Sequence, residues 1–220
     1  MRHFFTVTIS CLAMAALGVP AALAGDEITA HVRVEGKSRT IFGSTAPLLT
    51  PFQGVIHAED GTPVELPQPT ALGLLEAASA RGEFFYNVQQ FSFGSFVNQV
   101  GRYAGKGLRG WSFKVNGRAP DVGASAVVLE DGDSVLWYWT RLDPTTFAGP
   151  PTLDIVWDGR CLIAYEVDAA GTSTQAQDVK FKLDERRRIF SRKGRVCTAS
   201  WRTAQVVKRG AIRSQTLIAS

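Results

Sequence analysis

The chain has 220 residues, of which 45% are hydrophobic and 20% are charged, and its net charge is +4 at neutral pH. This composition excludes collagen-like and disordered chains and supplies enough apolar residues for a core. Thirteen Phe, five Trp and 21 Gly against two Met favour a β-rich chain over a helical bundle. With only three His and three Cys, the common zinc sites lack ligands, and we expect no metal and no cofactor.

The first 24 residues have the pattern of a cleaved signal peptide. Arg2 supplies the positive start, residues 7–19 form an apolar run too short to span a bilayer, and Ala22-Leu23-Ala24 is a small-x-small cleavage site. The alternative, a lipoprotein anchored through Cys11, lacks the usual Leu-led lipobox. We therefore expect a secreted or extracytoplasmic protein without a membrane span, whose mature chain begins near Gly25.

Charge divides the mature chain into two parts. Residues 25–150 carry 10 Lys and Arg against 13 Asp and Glu, whereas residues 151–220 carry 13 against 7. The Pro- and Gly-rich segment 143–151 has the composition of a linker. The sequence therefore predicts a first domain over 25–142 and a second over 152–220.

The first domain is predicted to contain two strands, a helix and several more strands. Alternating apolar residues from Ile28 to Val34 predict a hairpin with residues 39–42, and a Pro-rich loop follows over 43–69. Thr70 is the expected N-cap of a helix over 71–81 that Gly82 ends. Further strands are expected at 84–91, 111–115, 126–129 and 134–139, with a type I′ turn at Asn116-Gly117. This order is that of an α+β, β-grasp domain, in which one helix packs across a mixed sheet.

Five ordered motifs within this domain are more distinctive. They are ALGLLEAA (71–78), FSFGSFV (91–97), GWSFKVNG (110–117), VGA (122–124) and LEDGDSVLWYW (129–139). With them the chain resembles, from about Ile28 to Tyr138, the transcobalamin-like C-terminal domain family. That family is a bacterial domain of unknown function related to the β-grasp half of the vitamin B12 carriers transcobalamin and intrinsic factor.

The resemblance implies a β-grasp fold and a role in ligand binding. In the B12 carriers this half covers one face of the corrinoid, and a separate helical domain holds the other. The present sequence encodes no helical domain, so we do not expect tight cobalamin capture by this chain alone.

The segment between Phe91 and Trp111 is the first candidate for ligand contact. It reads as a glycine-rich turn region that combines aromatic faces with amide and guanidinium donors, as a concave small-molecule or sugar site requires. The expected ligand-binding residues are Phe93, Asn98, Arg102, Tyr103 and Trp111. The alternative is that the aromatic rings fill the core beneath the helix. The Pro-rich loop 43–69 is a second candidate surface, because long loops are often functional.

The second domain is predicted to be a small all-β, Ig-like sandwich. Its β-prone runs are 153–157, 162–167, 179–183, 196–202 and 212–219, and its last hairpin resembles that of immunoglobulin-like modules on bacterial surface proteins. Cys161 and Cys197 are expected to form a disulfide, although two free thiols are the alternative.

Six cations lie within ten residues of this second domain: Arg186, Arg187, Arg188, Arg192, Lys193 and Arg195. This basic cluster is either a contact for anionic envelope polymers or an ordinary solvated hairpin. Nucleic acid is not an expected partner, because the first domain is acidic and the cluster lacks a known nucleic-acid fold.

Catalysis is not expected. His31 and His57 are the only histidines of the mature chain, and neither lies near a recognisable nucleophile motif. The sequence therefore favours a secreted, non-catalytic binding module for a small molecule or a glycan. The alternative function is a structural or adhesive cell-envelope protein that contacts anionic polymers through its basic second domain.

Overall fold

The computed structural model describes residues 27–91, 94–145, 148–184, 186–198 and 200–219. The expected signal peptide lies outside these ranges. The described residues form one helix, α1 (Ala71–Gly82), and the following strands: β1 (Ala30–Glu35), β2 (Thr40–Phe42), β3 (Leu48–Leu49), β4 (Gly54–His57), β5 (Pro63–Leu66), β6 (Tyr86–Phe91), β7 (Gly94–Val100), β8 (Tyr103–Ala104), β9 (Arg109–Val115), β10 (Ser134–Arg141), β11 (Thr152–Trp157), β12 (Cys161–Val167), β13 (Ser173–Gln175), β14 (Val179–Leu183), β15 (Arg187–Ser191), β16 (Arg195–Cys197), β17 (Thr203–Val207) and β18 (Leu217–Ile218). The fold is thus mostly β, in agreement with the expected α+β class. Within these ranges no helix has the length and apolar character needed to cross a membrane.

The main sheet of the N-terminal part (residues 27–142) has the strand order β2-β1-β10-β9, and β3 also pairs with β1. β1 runs parallel to β10, whereas its pairing with β2 is antiparallel and confirms the predicted hairpin. Asn116 and Gly117 both have positive φ, 50° and 80°, as the predicted type I′ turn requires.

Helix α1 begins where the sequence predicts. The Thr70 hydroxyl accepts a hydrogen bond from the Gly73 amide at 3.1 Å, which is the expected N-cap. The helix extends through Gly82 rather than stopping before it, and Glu83 adopts the left-handed conformation at its C-terminus. Its apolar side packs on the main sheet over the largest buried cluster of the protein.

The predicted strand at 126–129 is wrong. Only an isolated bridge between Val128 and Thr70 forms there. The carbonyl groups of Val127 and Ala124 instead accept hydrogen bonds from the Ala71 and Leu72 amides, each at 3.0 Å. The first amides of a helix have no partner within it, so this segment is held against the helix start rather than in a sheet.

Two regions expected to be irregular contain strands. The Pro-rich loop includes β3 and the hairpin β4–β5, and the glycine-rich region after Phe91 contains β7 and β8, which form a three-stranded sheet with β6. Glycines at positive φ lie at the bends of this sheet, for example Gly101 at 52° between β7 and β8. They therefore make turns between strands rather than a loop.

The C-terminal part (residues 151–219) contains two four-stranded sheets that share one buried cluster. One consists of β11, β12, β13 and β16, and the other has the order β15-β14-β17-β18. The predicted run at 196–202 contributes only β16, and the run at 212–219 only β18. Strands β13 and β15 were not predicted. β13 is exposed and polar, and the apolar residues of β15, Ile189 and Phe190, are adjacent rather than alternating.

The disulfide between Cys161 and Cys197 is confirmed. The two residues lie opposite each other where β12 pairs with β16. Disulfides persist in oxidising compartments, so the bond indicates an extracytoplasmic location.

Removing this cross-link should destabilise the protein. The bond closes a loop with a sequence separation of 36 residues, and the chain-entropy relation gives about 3–4 kcal/mol for such a loop. We expect the Cys161→Ser/Cys197→Ser variant to lose about that much free energy of unfolding in urea titrations. Reduced wild-type protein is the matched control, and an unchanged midpoint in both would contradict the prediction.

Candidate functional site

One face of the main sheet buries apolar side chains, and the other face buries charged side chains. Ala30, Val32 and Val34 of β1 belong to the apolar cluster beneath α1. The intervening residues point the other way, since side chains alternate along a strand. Among them Arg33 and Glu35 are buried, 6% and 1% exposed. The sheet therefore has a charged face, and the C-terminal part covers it.

Glu35 is the centre of a buried ion network on that face. Its carboxylate accepts from Arg33 Nη1 at 3.3 Å and from Thr40 Oγ1 at 3.0 Å, and Arg213 Nε of the C-terminal part lies 3.3 Å away. Burial raises the pKa of Glu35 above its ordinary value, and the two guanidinium groups oppose that shift. Charges buried this deeply are tolerated because they are paired.

Arg213 also holds the turn between β1 and β2. Its Nη2 donates to the carbonyl oxygens of Gly36 at 3.0 Å and Lys37 at 3.2 Å, while its own carbonyl accepts from Arg33 Nη1 at 2.8 Å. One planar guanidinium thus binds a carboxylate and two turn carbonyls together, which a lysine cannot reproduce. The C-terminal part therefore fixes the backbone of this turn.

Lys114 of β9 makes a second connection between the parts. It is 1% exposed, and its ammonium group donates to Thr152 Oγ1 at 3.1 Å and to the carbonyl oxygens of Val167 at 2.9 Å and Asp168 at 2.6 Å. Burial lowers the pKa of Lys114 to about 8. The three acceptors use all three of its N–H groups.

An open cleft of about 520 Å³ lies beside the turn that Arg213 holds. Four cations, two aromatic rings and no carboxylate line it. The lining residues are Lys37, Arg102, Tyr103, Ala104, Arg109, Trp139, Thr140 and Arg141. Together they combine positive charge with aromatic surface.

Tyr103 of β8 is fixed from several directions. Its hydroxyl lies 3.4 Å from Ser38 Oγ and accepts from Arg102 Nη2 at 3.2 Å. The hydrogen bond to Ser38 and then that from Arg102 lower the pKa of Tyr103. A Cβ at Gly36 would lie 2.7 Å from the Tyr103 ring, so the glycine lets the turn pack directly against it. The ring is therefore held between the turn and the Arg102 guanidinium, which lies 5.2 Å from the ring centroid.

Trp139 of β10 is the second ring of the cleft, and Trp111 supports both. The Tyr103 and Trp139 centroids are 5.8 Å apart, and Trp111 meets Trp139 edge to face at 5.9 Å. Trp111 is 2% exposed and donates from Nε1 to the Tyr103 carbonyl at 2.8 Å. It therefore lies beneath the cleft and supports the rings that line it.

Two arginines face each other at the end of the β9–β10 ladder. Arg141 is the cross-strand partner of Arg109, two residues beyond the Trp139–Trp111 pair. Both are exposed, and among the described residues neither forms an ion pair with a carboxylate. Like charges directly opposite each other destabilise a sheet. This arrangement therefore leaves an unneutralised positive pair beside the aromatic rings.

The structure brings together only part of the expected ligand-binding set. Arg102 and Tyr103 line the cleft, and Trp111 is buried behind it. Asn98 is half-buried on β7 and is not part of the lining. Phe93 lies outside the described residues.

Six lining residues were not predicted, and four of them carry a charge or an aromatic ring: Lys37, Arg109, Trp139 and Arg141. Lys37 lies in a turn that sequence alone does not place near Tyr103, which is 66 positions away. Arg109, Trp139 and Arg141 share one face of an antiparallel pair. The Asn116-Gly117 turn closes only the bridge between Val115 and Arg118, and residues 116–133 separate β9 from β10. No local count therefore places the two arginines opposite each other.

The basic cluster of the C-terminal part is partly neutralised by its own surroundings. Arg187 pairs with Asp184 at 3.8 Å, and Arg195 pairs with Asp158 at 3.1 Å. Arg186 lines a shallow groove of about 700 Å³. As for metal ions, no group of three His, Cys, Asp or Glu side chains that could hold one occurs in the part of the chain that the structure describes.

Comparison with known families gives one match. The family described as a domain of unknown function, DUF4430, matches residues 69–141. This segment runs from the helix N-cap to Arg141 and includes every cleft residue except Lys37. No curated protein matches the chain.

The buried position of Trp111 gives a stability prediction. Truncation of a buried Trp removes its contacts and leaves a cavity, which costs about 3–5 kcal/mol. We expect Trp111→Ala to lower the free energy of unfolding by that amount in urea titrations. Trp157→Ala is the control, since Trp157 is 39% exposed and should cost much less. Equal losses for the two variants would contradict the assignment of Trp111 to the core.

The contacts of Arg213 predict that the turn opens when its guanidinium is lost. Arg213→Lys keeps the charge beside Glu35 but cannot also bind both turn carbonyls. A hydrogen bond from a charged donor contributes about 1.5 kcal/mol or more. Hydrogen exchange of the Gly36 amide, which donates across the turn to the Arg39 carbonyl at 2.9 Å, should therefore become at least about tenfold faster. Arg209→Lys, at an exposed site in the same part, is the control. Unchanged exchange at the turn would show that Arg213 does not hold it.

Proposed function

We propose that this protein is an extracytoplasmic, non-catalytic module that binds an anionic small molecule or glycan in the cleft that Tyr103 and Trp139 help to line. The proposal rests on one observation above all. Arg109 and Arg141 lie opposite each other, exposed, beside two aromatic rings, in a cleft whose lining contains no carboxylate. A bound anion would relieve the repulsion between the two cations.

The composition of the cleft supports recognition rather than chemistry. Its lining contains no His, Cys, Asp or Glu, the residues that most often serve as nucleophile or general base. Aromatic rings with a few polar donors are typical of ligand sites. Affinity in this proposal comes from contact with the Tyr103 and Trp139 rings and from charge-assisted hydrogen bonds to the arginines.

The proposal also includes export through an N-terminal signal peptide and a specific fold for each of the two parts. Export through the N-terminal signal is consistent with the Cys161–Cys197 disulfide. We assign residues 25–142 to a transcobalamin-like β-grasp domain, since a helix packs on a mixed sheet there. The C-terminal part, with two sheets around one core, is assigned to an Ig-like sandwich that supports the binding domain.

A structural or adhesive role through the basic cluster is the second candidate. The exposed groove beside Arg186, Arg187 and Arg202 favours it. The pairs that Arg187 and Arg195 form with nearby aspartates weaken it, because they reduce the charge available to a polymer. Failure of the first proposal in the experiment below would favour this role.

Replacing the two cross-strand arginines tests the binding proposal, because it should raise the stability of the free protein and lower its affinity for anions. Arg109→Gln/Arg141→Gln removes the repulsion, so the free protein should gain up to about 1 kcal/mol of stability. The same variant should lose its response to anionic ligands. The measurement is a thermal-shift panel of carboxylated and phosphorylated small molecules and acidic oligosaccharides, with neutral oligosaccharides for comparison.

Wild-type protein should respond to at least one anionic probe and to none of the neutral ones, since a ligand at 100 times its Kd adds about 2.7 kcal/mol. Arg81→Gln/Arg160→Gln removes the same charge from exposed sites outside the cleft and should behave as wild type. Flat melting temperatures across the panel, or equal responses from both double variants, would contradict the proposal.

A further inference from the structure

The four cations of the cleft fall into two pairs, which are carried by different elements of the fold. Arg102 and the turn that carries Lys37 lie beside Tyr103. Arg102 donates to that hydroxyl at 3.2 Å, and Lys37 lies between Gly36, which packs against the ring, and Ser38, whose Oγ is 3.4 Å from the hydroxyl. We call these two residues the Tyr103 pair.

Arg109 and Arg141 form the second pair, on the ladder that carries Trp139. Residues two apart on a strand share a face, so Arg141 lies on the same face as Trp139, and Arg109 on the same face as Trp111. The strand register places these two arginines opposite each other. We call them the ladder pair. Each pair is associated with one aromatic ring of the lining, Tyr103 with the Tyr103 pair and Trp139 with the ladder pair. The centroids of the two rings are 5.8 Å apart.

A small anion with one charged group supplies one partner for the two pairs. A linear chain that carries an anionic group on each repeating unit can reach both, and its ring faces can lie on the aromatic surface between them. Resting on the function proposed above, we propose that the ligand is a stretch of an acidic polysaccharide, with successive carboxylates on the ladder pair and on the Tyr103 pair. Arginine suits this role, because its planar fork matches a carboxylate.

The aromatic rings favour a glycan over a nucleic acid. A nucleobase stacks on an open aromatic face, but the Arg102 guanidinium already lies over the Tyr103 ring at 5.2 Å. Both rings are half-buried and contact each other. A sugar ring needs only a partial apolar surface and hydrogen bonds at its edge. The disulfide places the protein where extracellular polysaccharides occur.

The test is a length series of oligogalacturonates, from monomer to tetramer, measured by calorimetry with wild-type protein. Two adjacent contacts on one chain reinforce each other, so Kd should fall at least tenfold from monomer to tetramer. Lys37→Gln/Arg102→Gln should weaken tetramer binding far more than monomer binding, so that the two Kd values of this variant differ by less than about threefold. Arg109→Gln/Arg141→Gln should weaken binding at every length, and Arg81→Gln/Arg160→Gln should change neither value. Melting temperatures confirm that each variant is folded.

The outcomes separate this inference from the proposed function. If monomer and tetramer bind equally well, the polysaccharide inference is overturned, and the binding module stands. If neutral maltotetraose binds as tightly as tetragalacturonate, the acidic class is wrong. If single-stranded oligonucleotides of the same charge bind more tightly than the galacturonates, the ligand is a nucleic acid and the polysaccharide inference is wrong. If neither the galacturonates nor any anion of the broader panel binds, both proposals fail.

Discussion

The burial of Glu35 between two arginines from different parts of the chain is the constraint on which the arrangement depends. A carboxylate 1% exposed would be costly alone, and it is tolerated because Arg33 and Arg213 both lie 3.3 Å away. Arg213 can complete this network only when the C-terminal part covers the charged face of the main sheet. The position of the β1–β2 turn, and with it one side of the cleft, follows from that ion network.

The two faces of the main sheet therefore make different kinds of contact. The apolar face holds α1 and forms the larger core, as in any sheet with one helix across it. The other face replaces apolar contacts with directional bonds from Arg33, Lys114 and Arg213 to specific acceptors. Directional bonds fix the relative position of the two parts more narrowly than apolar contact does, because they fail when donor and acceptor shift. The cleft lies at the end of this sheet, where Arg109, Trp139 and Arg141 on one face are next to the turn that Arg213 holds.

Local signals predicted much of the fold. The Thr70 cap, the Asn116-Gly117 turn and the Cys161–Cys197 pair depend on residues close in sequence or on a simple count, and all three occur in the structure. Segment 126–129 was wrong because its partner is the start of a helix rather than a strand. Of the residues that line the cleft, only Arg102 and Tyr103 were predicted. Three consecutive aromatic residues at 137–139 alternate between faces, and only the tertiary structure determines that Trp139 remains accessible while its neighbours are buried. Lys37 joins Tyr103 through a tertiary contact that no local pattern encodes.

Gly149, in the connection between the two parts, lies directly against the charged face of the sheet. A side chain at Gly149 would collide with the Tyr138 hydroxyl, so the connection lies flat on the sheet at this position. Boundaries between domains usually fall in exposed, flexible linkers that few contacts cross. Here the connection packs closely at Gly149, and Arg213 bonds to Glu35 and to the β1–β2 turn of the other part. The two parts should therefore unfold together, in one cooperative transition.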